Sequence, residues 1–256
     1  MKAVLKKIRY IAALILSISF YSLTYAQNYL EFVENKGQWD KQIDFKGDMN
    51  NGSFALQKTG YRFLLHSNDD LNKRAAYFHG HLHNTTEQKS TNNSEQNKNY
   101  IVHSHVYEVK FLNANPNPII ISEKPLDSYN NYFIDNNPEK WASNCKIYNT
   151  ITYKNIYPNI DVRYYTNESN LKYDFIVNPG GNVNDILLHF VGADKLKLSK
   201  GNLIISTSVQ TVTETAPYTY IINNNGKQEV ACSFELKGNI VRFKLNKEVD
   251  KNATLV

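Results

Sequence analysis

The sequence predicts an all-β protein: an antiparallel β-sandwich, built as one unit or as two packed β-lobes, with few short helical turns. Three observations predict it. From Ile147 onward the apolar residues recur with a period of two, in runs rich in Tyr, Ile, Val and Phe. Asn, Pro and Gly bound each run, so short strands follow one another at sandwich spacing. No stretch shows helical periodicity long enough to alter that class.

Taken in order, the segment Glu31 to Asp40 opens the domain and places Trp39 on an exposed-looking loop. Ser53 to Gln57 and Gly60 to His66 read as strands. Ser67 to Asn99 reads as a long polar insert. Its second half, 84–99, is almost entirely Asn, Thr, Ser, Gln, Glu and Lys, too polar to offset the entropy of ordering, and is expected to be a flexible loop within the domain. After Tyr100 the residues alternate, with Tyr107, Val109 and Phe111 as the inward set, and Pro116 and Pro118 end the run. Ile119 to Ser122 is a short strand, and Pro125 to Asn137 is the least strand-like part, a candidate for a helical turn. Ile147–Tyr153, Ile160–Tyr165 and Leu171–Val177 are strands, the last two joined by a hairpin at Asn167 to Asn170. Asn178-Pro179-Gly180-Gly181 is a turn in which Pro presets φ and Gly supplies a positive one. Strands follow at Ile186–Val191, Leu203–Ser206, Val209–Thr213, Tyr218–Ile222, Val230–Leu236 and Ile240–Leu245, with hairpin turns at Asn223 to Gly226 and Lys237 to Asn239.

The N-terminus carries a secretory signal. Lys2, Lys6, Lys7 and Arg9 form a basic region, Ile11 to Phe20 an apolar core, and Thr24-Tyr25-Ala26 a cleavage site, so residues 1–26 are expected to be removed. The apolar run is short for a membrane span, and no Cys follows it to take a lipid. The formal net charge of +5 includes those four basic residues with no acid to offset them, leaving about +1 for the exported chain. No basic stripe follows a phosphate backbone, so nucleic acid is not an expected partner. Two cysteines, Cys145 and Cys232, exclude a disulfide-dependent mini-fold and leave open a pair or two separate buried thiols. The apolar end, Ala253 to Val256, reads as strand material with no turn after it, so the domain of 27–256 is expected to be incomplete at its C-terminus.

Several motifs together resemble a known family. They are Glu34-Asn35-Lys36-Gly37-Gln38-Trp39; Asn131-Tyr132-Phe133 with Pro138 and Trp141; Tyr157-Pro158 with Ile160-Asp161 and Tyr164-Tyr165; Leu171, Tyr173-Asp174-Phe175, Val177 and Pro179-Gly180; and Gly201-Asn202-Leu203. The chain resembles an uncharacterised N-terminal β-domain of bacterial, Bacteroidota-type, cell-surface proteins. Such proteins continue into SBBP β-propeller repeats, PKD or other Ig-like domains and a gliding-motility-type C-terminal sorting domain read by type IX secretion. The resemblance implies a cell-surface module followed by further domains, and brings no catalytic residues. Asp135 and Asn159 stand where the family pattern has Gly; Asn and Asp best tolerate left-handed backbone, so both turns can survive.

Three groups of residues were candidates for chemistry. His79, His81 and His83 would share one face of a strand and converge on a zinc ion, with His103 and His105 as a second pair; the alternative is a loose segment bordering the insert. Asp161 and Asp174 lie in neighbouring strands, where a carboxylate pair hydrolyses glycosides or, alternatively, each caps a turn or pairs with Arg163 or Lys172. Tyr148, Tyr153, Tyr157, Tyr164, Tyr165 and Tyr173 would form a carbohydrate-stacking face or fill the sandwich core. No Ser-His-Asp spacing, phosphate loop or dinucleotide fingerprint occurs, and no cofactor is implied. The expectation is a secreted, non-catalytic structural or adhesion module facing an extracellular polysaccharide or protein. A carbohydrate-binding module is the alternative, and a metal-dependent hydrolase using the histidines is the third reading.

Overall fold

In a computed structural model, residues 30–82, 101–167, 170–223 and 226–256 are described. The signal segment and the insert at 84–99 lie outside them, as does His83. The first half comprises β1 (Phe32–Glu34), β2 (Phe45–Met49), β3 (Gly52–Gln57), β4 (Gly60–His66), α1 (Asn68–Leu82), β5 (Ser104–Phe111), β6 (Ile119–Tyr132), β7 (Ala142–Tyr157), β8 (Ile160–Asn167) and β9 (Asn170–Val177). The second half comprises β10 (Leu188–Val191), β11 (Lys195–Ser199), β12 (Asn202–Ser206), β13 (Thr211–Glu214), β14 (Thr219–Asn223), β15 (Gly226–Val230), β16 (Cys232–Lys237), β17 (Ile240–Leu245) and β18 (Thr254–Leu255).

One antiparallel sheet of 15 strands runs β15-β14-β18-β9-β8-β7-β1-β2-β3-β4-β5-β10-β17-β16, with β6 paired to β7 alone, and β11-β12-β13 form a small second sheet. The long β7 is the corner. Its residues 147–148 pair with β1 and its residues 150–157 with β8, so it belongs to both halves. The two ends of the path, β15 and β16, are separated in sequence by Ala231 alone, which brings the sheet back on itself. The halves face each other as the layers of a sandwich, and rings meet across them: Tyr61 lies 6.1 Å from Tyr164 and Phe111 lies 5.4 Å from Phe175.

Alternation places the core. Tyr107, Val109 and Phe111 are buried on β5, Ile160, Val162 and Tyr164 on β8, and Phe175 and Val177 on β9. Each such side chain contributes about 1.5–3 kcal/mol by leaving water. A second, smaller core of Val33, Ala142, Cys145 and Ile147, with Trp39, Leu126 and Tyr132 against it, braces the outer half of the β6–β7 pair.

Three expectations are corrected. The first half of the polar insert is helical. Ser67 Oγ accepts from the Asp70 amide as an N-cap that the sequence Ser-Asn-Asp-Asp already spells, Asp69 and Asp70 occupy the first turn, and Lys73 pairs with Asp69 one turn on. β6 runs through Pro125 to Tyr132. Proline is tolerated because β6 is an edge strand, and the register shifts between Pro125 and Tyr129; the helical turn falls later, at Pro138–Lys140. Trp39 is half-buried and meets Tyr132 edge-on at 5.1 Å.

Candidate functional site

The motif residues build framework. Asn35 Nδ2 donates to the carbonyls of Asp40 (2.9 Å) and Ile43 (2.8 Å), while its Oδ1 accepts from the amides of Gly37 and Trp39. Gln38 Nε2 donates to the Glu34 carbonyl, so the opening loop is closed by its own side chains. Asn131 Oδ1 accepts from the Asn144 amide and ties the two strands of the arm together. Pro158 and Asn159 (φ 58°) turn β7 into β8, and Pro179 and Gly180 (φ 85°) make a second turn that closes with Gly181 N–H on the Asn178 carbonyl. The Asn178 amide donates to the Asn159 carbonyl at 2.8 Å, so the two turns abut.

The histidine reading required an extended strand. The backbone at His79 and His81 is helical, and residues two apart on a helix do not share a face. His103 Nδ1 sits 2.7 Å from Asp70 Oδ2, while His105 lies between Ser208 Oγ (2.9 Å) and the Gly192 carbonyl (2.7 Å), so the two histidines are engaged by different partners. Among the described residues no three His, Cys, Asp or Glu side chains gather to hold a metal.

Asp161 and Asp174 are likewise engaged separately. Asp161, 2 % exposed, accepts from Lys154 Nζ and the Asn155 amide, both at 2.8 Å. Asp174 accepts from Arg163 (2.7 Å) and from the Tyr165 hydroxyl (3.1 Å). Of the six tyrosines read as either a stacking face or core filling, Tyr153, Tyr157 and Tyr164 are core, Tyr148 and Tyr173 pack against it, and Tyr165 lines a cavity.

That cavity, of about 1070 Å³, lies between the two layers beside β13. Its wall includes Tyr61, Phe63, Tyr107, Tyr164, Tyr173 and Phe175. It opens because β18 bridges β9 and β14 at one end alone, pairing Leu255 with Val177 and with Ile221. Tyr165, Lys172 and Asp174 stand on one side of that gap and Tyr218, Tyr220 and Lys227 on the other. Lys227 Nζ lies 3.7 Å over the Tyr220 ring and 4.9 Å over that of Tyr218.

Inside, the Glu214 carboxyl is held by two phenols. The Tyr61 hydroxyl donates to Oε1 at 3.3 Å and the Tyr173 hydroxyl to Oε2 at 2.9 Å. Burial raises the Glu214 carboxyl above its ordinary range, and the two phenol bonds oppose that shift. Burial also lifts Tyr61 and Tyr173 well above the ordinary phenol value, with Glu214 next in effect. The phenols therefore stay neutral donors, and the carboxyl takes a proton more readily than an exposed one. The two other carboxylates on the wall are taken up: Asp48 by Lys46, and Asp174 by Arg163 and Tyr165. Glu214, Tyr218 and Tyr220 were not singled out in the sequence. Their strands were legible, but their convergence depends on which strands become neighbours.

The two cysteines are unpaired: Cys145 is buried in the small core and Cys232 lines the cavity. At the far end of the β6–β7 arm, Phe133, Ile134 and Trp141 are 63 %, 65 % and 45 % exposed, and the two rings meet edge-on at 5.8 Å. The tip is shaped by Asp135 (φ 68°), by Trp141 Nε1 donating to the Asp135 carbonyl, and by Asn137 capping the turn that begins at Pro138.

No curated protein and no solved structure matches the chain significantly. A family model matches residues 32–256, nearly all of the described chain, and the chain belongs to that family, described as a domain of unknown function (DUF7948).

Proposed function

We propose that this chain is an exported, surface-displayed, non-catalytic module that makes adhesive contact through the tip of the β6–β7 arm, at the N-terminal end of a longer multidomain protein. The observation that carries this reading is the exposure of Phe133, Ile134 and Trp141 together at the end of a braced two-stranded arm. Large apolar side chains on a preorganised support are what a partner surface buries as an anchor. Covering the exposed half to two thirds of each would contribute about 1–2 kcal/mol before the cost of association. Two further features support the reading: the export signal expected over residues 1–26, and the motifs that resemble bacterial surface proteins. The partner is a protein or polysaccharide of the cell exterior. Nucleic acid does not suit it, because the exported chain has almost no net charge.

The test uses intact cells that make the protein. Antibody should reach the domain without lysis, and the purified domain should adhere to the envelope of those cells. A Phe133→Ser/Trp141→Ser double variant with an unchanged circular dichroism spectrum should lose most of that adhesion. Protein confined to the cytosol, or undiminished adhesion by the double variant, refutes the reading.

A further inference from the structure

We infer that the cavity between the two layers is a second binding site, independent of the arm, and that it takes a neutral glycan of one to a few pyranose rings. The volume of about 1070 Å³ matches the upper end of small-molecule sites, roughly 300–1,000 Å³.

The mouth suits sugar rings. Tyr218 is 62 % exposed and stands 5.8 Å from Tyr220, with the Lys227 ammonium laid over both. An apolar ring face stacks on such phenols while the hydroxyls at its edge remain free to hydrogen-bond. Lys172 and Asp174 face these rings from the other side of the gap.

The interior selects against the other ligand classes. Tyr61 and Tyr173 spend their protons on Glu214, which leaves the remaining lone pairs of that carboxyl for a ligand donor. A hydrocarbon chain would strip those lone pairs of partners at a cost of about 1–3 kcal/mol, as for any buried acceptor left unmade. Inside, an anionic ligand would meet the Glu214 carboxyl with no cation beside it among the described residues, because the two lysines of the lining, Lys172 and Lys227, stand at the mouth. A neutral polyol avoids both problems: it donates to Glu214 and lays carbon faces on Phe63, Phe175 and the tyrosines.

The experiment is calorimetric titration of the full chain with neutral xylo-, cello-, malto- and N-acetylated chito-oligosaccharides of two to four rings, and with sodium laurate as the apolar probe. One or more of the oligosaccharides should bind at one site per chain. Glu214→Gln should weaken that binding about tenfold, the loss of roughly one hydrogen bond to a charged or strongly polar partner. Tyr218→Ala, at an exposed mouth position, should weaken it at least about threefold, the worth of one stacked ring. Should Glu214→Gln fail to fold, Tyr218→Ala decides alone. The Phe133→Ser/Trp141→Ser variant should bind the sugar unchanged, which separates this site from the arm. Absence of binding by all four oligosaccharides, equal affinity in the Tyr218→Ala protein, or saturable binding of laurate alone overturns the inference.

Discussion

Removing the hydroxyl of Tyr164 should leave the protein at least as stable as it is now. The side chain is 1 % exposed, and its hydroxyl is the buried side-chain polar atom that has no hydrogen-bond partner among the described residues. Its ring is held on three sides, by Tyr153 at 5.9 Å, Tyr61 at 6.1 Å and Tyr173 at 6.4 Å. Tyr164→Phe keeps the ring, its edge-on contacts and nearly all of its volume, and deletes one desolvated oxygen. An unmade buried hydrogen bond costs about 1–3 kcal/mol, so the variant should gain on the order of 1 kcal/mol once the small void is allowed for. In a domain of this size that is roughly 2–4 °C in melting temperature. The comparison is Tyr173→Phe. It has a similar ring in the same cluster, but its hydroxyl donates to Glu214 at 2.9 Å, and it should lose about 1 kcal/mol or more. Equilibrium urea unfolding of the three proteins, with melting temperatures alongside, measures both. A loss above about 1 kcal/mol in Tyr164→Phe would refute the argument, because it would mean that the hydroxyl has a partner.

Three further outcomes are expected. Burial raises the Glu214 carboxyl above its ordinary value of 4.5, so the folded protein holds that proton more tightly than the unfolded chain does; the stability this supplies is complete below the ordinary value and is lost as pH rises through the native one. The stability of the wild type relative to Glu214→Gln, measured by urea unfolding between about pH 4 and pH 8, should therefore fall with rising pH, and a flat difference would contradict the assignment. Asp161→Ala should cost about 1–3 kcal/mol in the same assay, because it removes a buried carboxylate that accepts from both the Asn155 amide and Lys154, whereas Asp174→Ala, whose partner Arg163 is partly solvated, should cost below about 1 kcal/mol. Burial raises both thiols, so a thiol reagent should modify Cys232 slowly through the cavity and Cys145 only after unfolding, and a reducing agent should leave the melting temperature unchanged; a reducing agent that lowers it would reveal a disulfide.

Much of the frame was legible because it rests on local rules. Tyr107, Val109 and Phe111 alternate in the sequence and are buried in the fold, since a strand sends every second side chain inward. Asp135 and Asn159, read from the sequence as tolerating left-handed backbone, adopt it at 68° and 58°. Where the reading failed, a wider context had overruled or hidden a local signal. α1 was passed over because its polarity suggested an insert, although Ser67 to Asp70 already carried a cap. β6 crosses Pro125 because its outer edge needs no hydrogen-bond partner, a circumstance set by strand order. The histidine spacing was read with a strand period on a segment whose backbone is helical.

By itself, then, the sequence determined the strand class, the turns and the inward faces, because period, proline, glycine and asparagine act within a few residues. Tertiary structure alone decided the cavity. Tyr61 meets Glu214 across 153 residues of chain and Tyr173 meets it across 41, through strands in two different sheets. It also decided that Phe133 and Trp141 face water while Tyr153 and Tyr164, of the same chemical kind, lie inside. An aromatic residue carries the same preference for burial wherever it occurs, and only the packing of layers settles which ones obtain it.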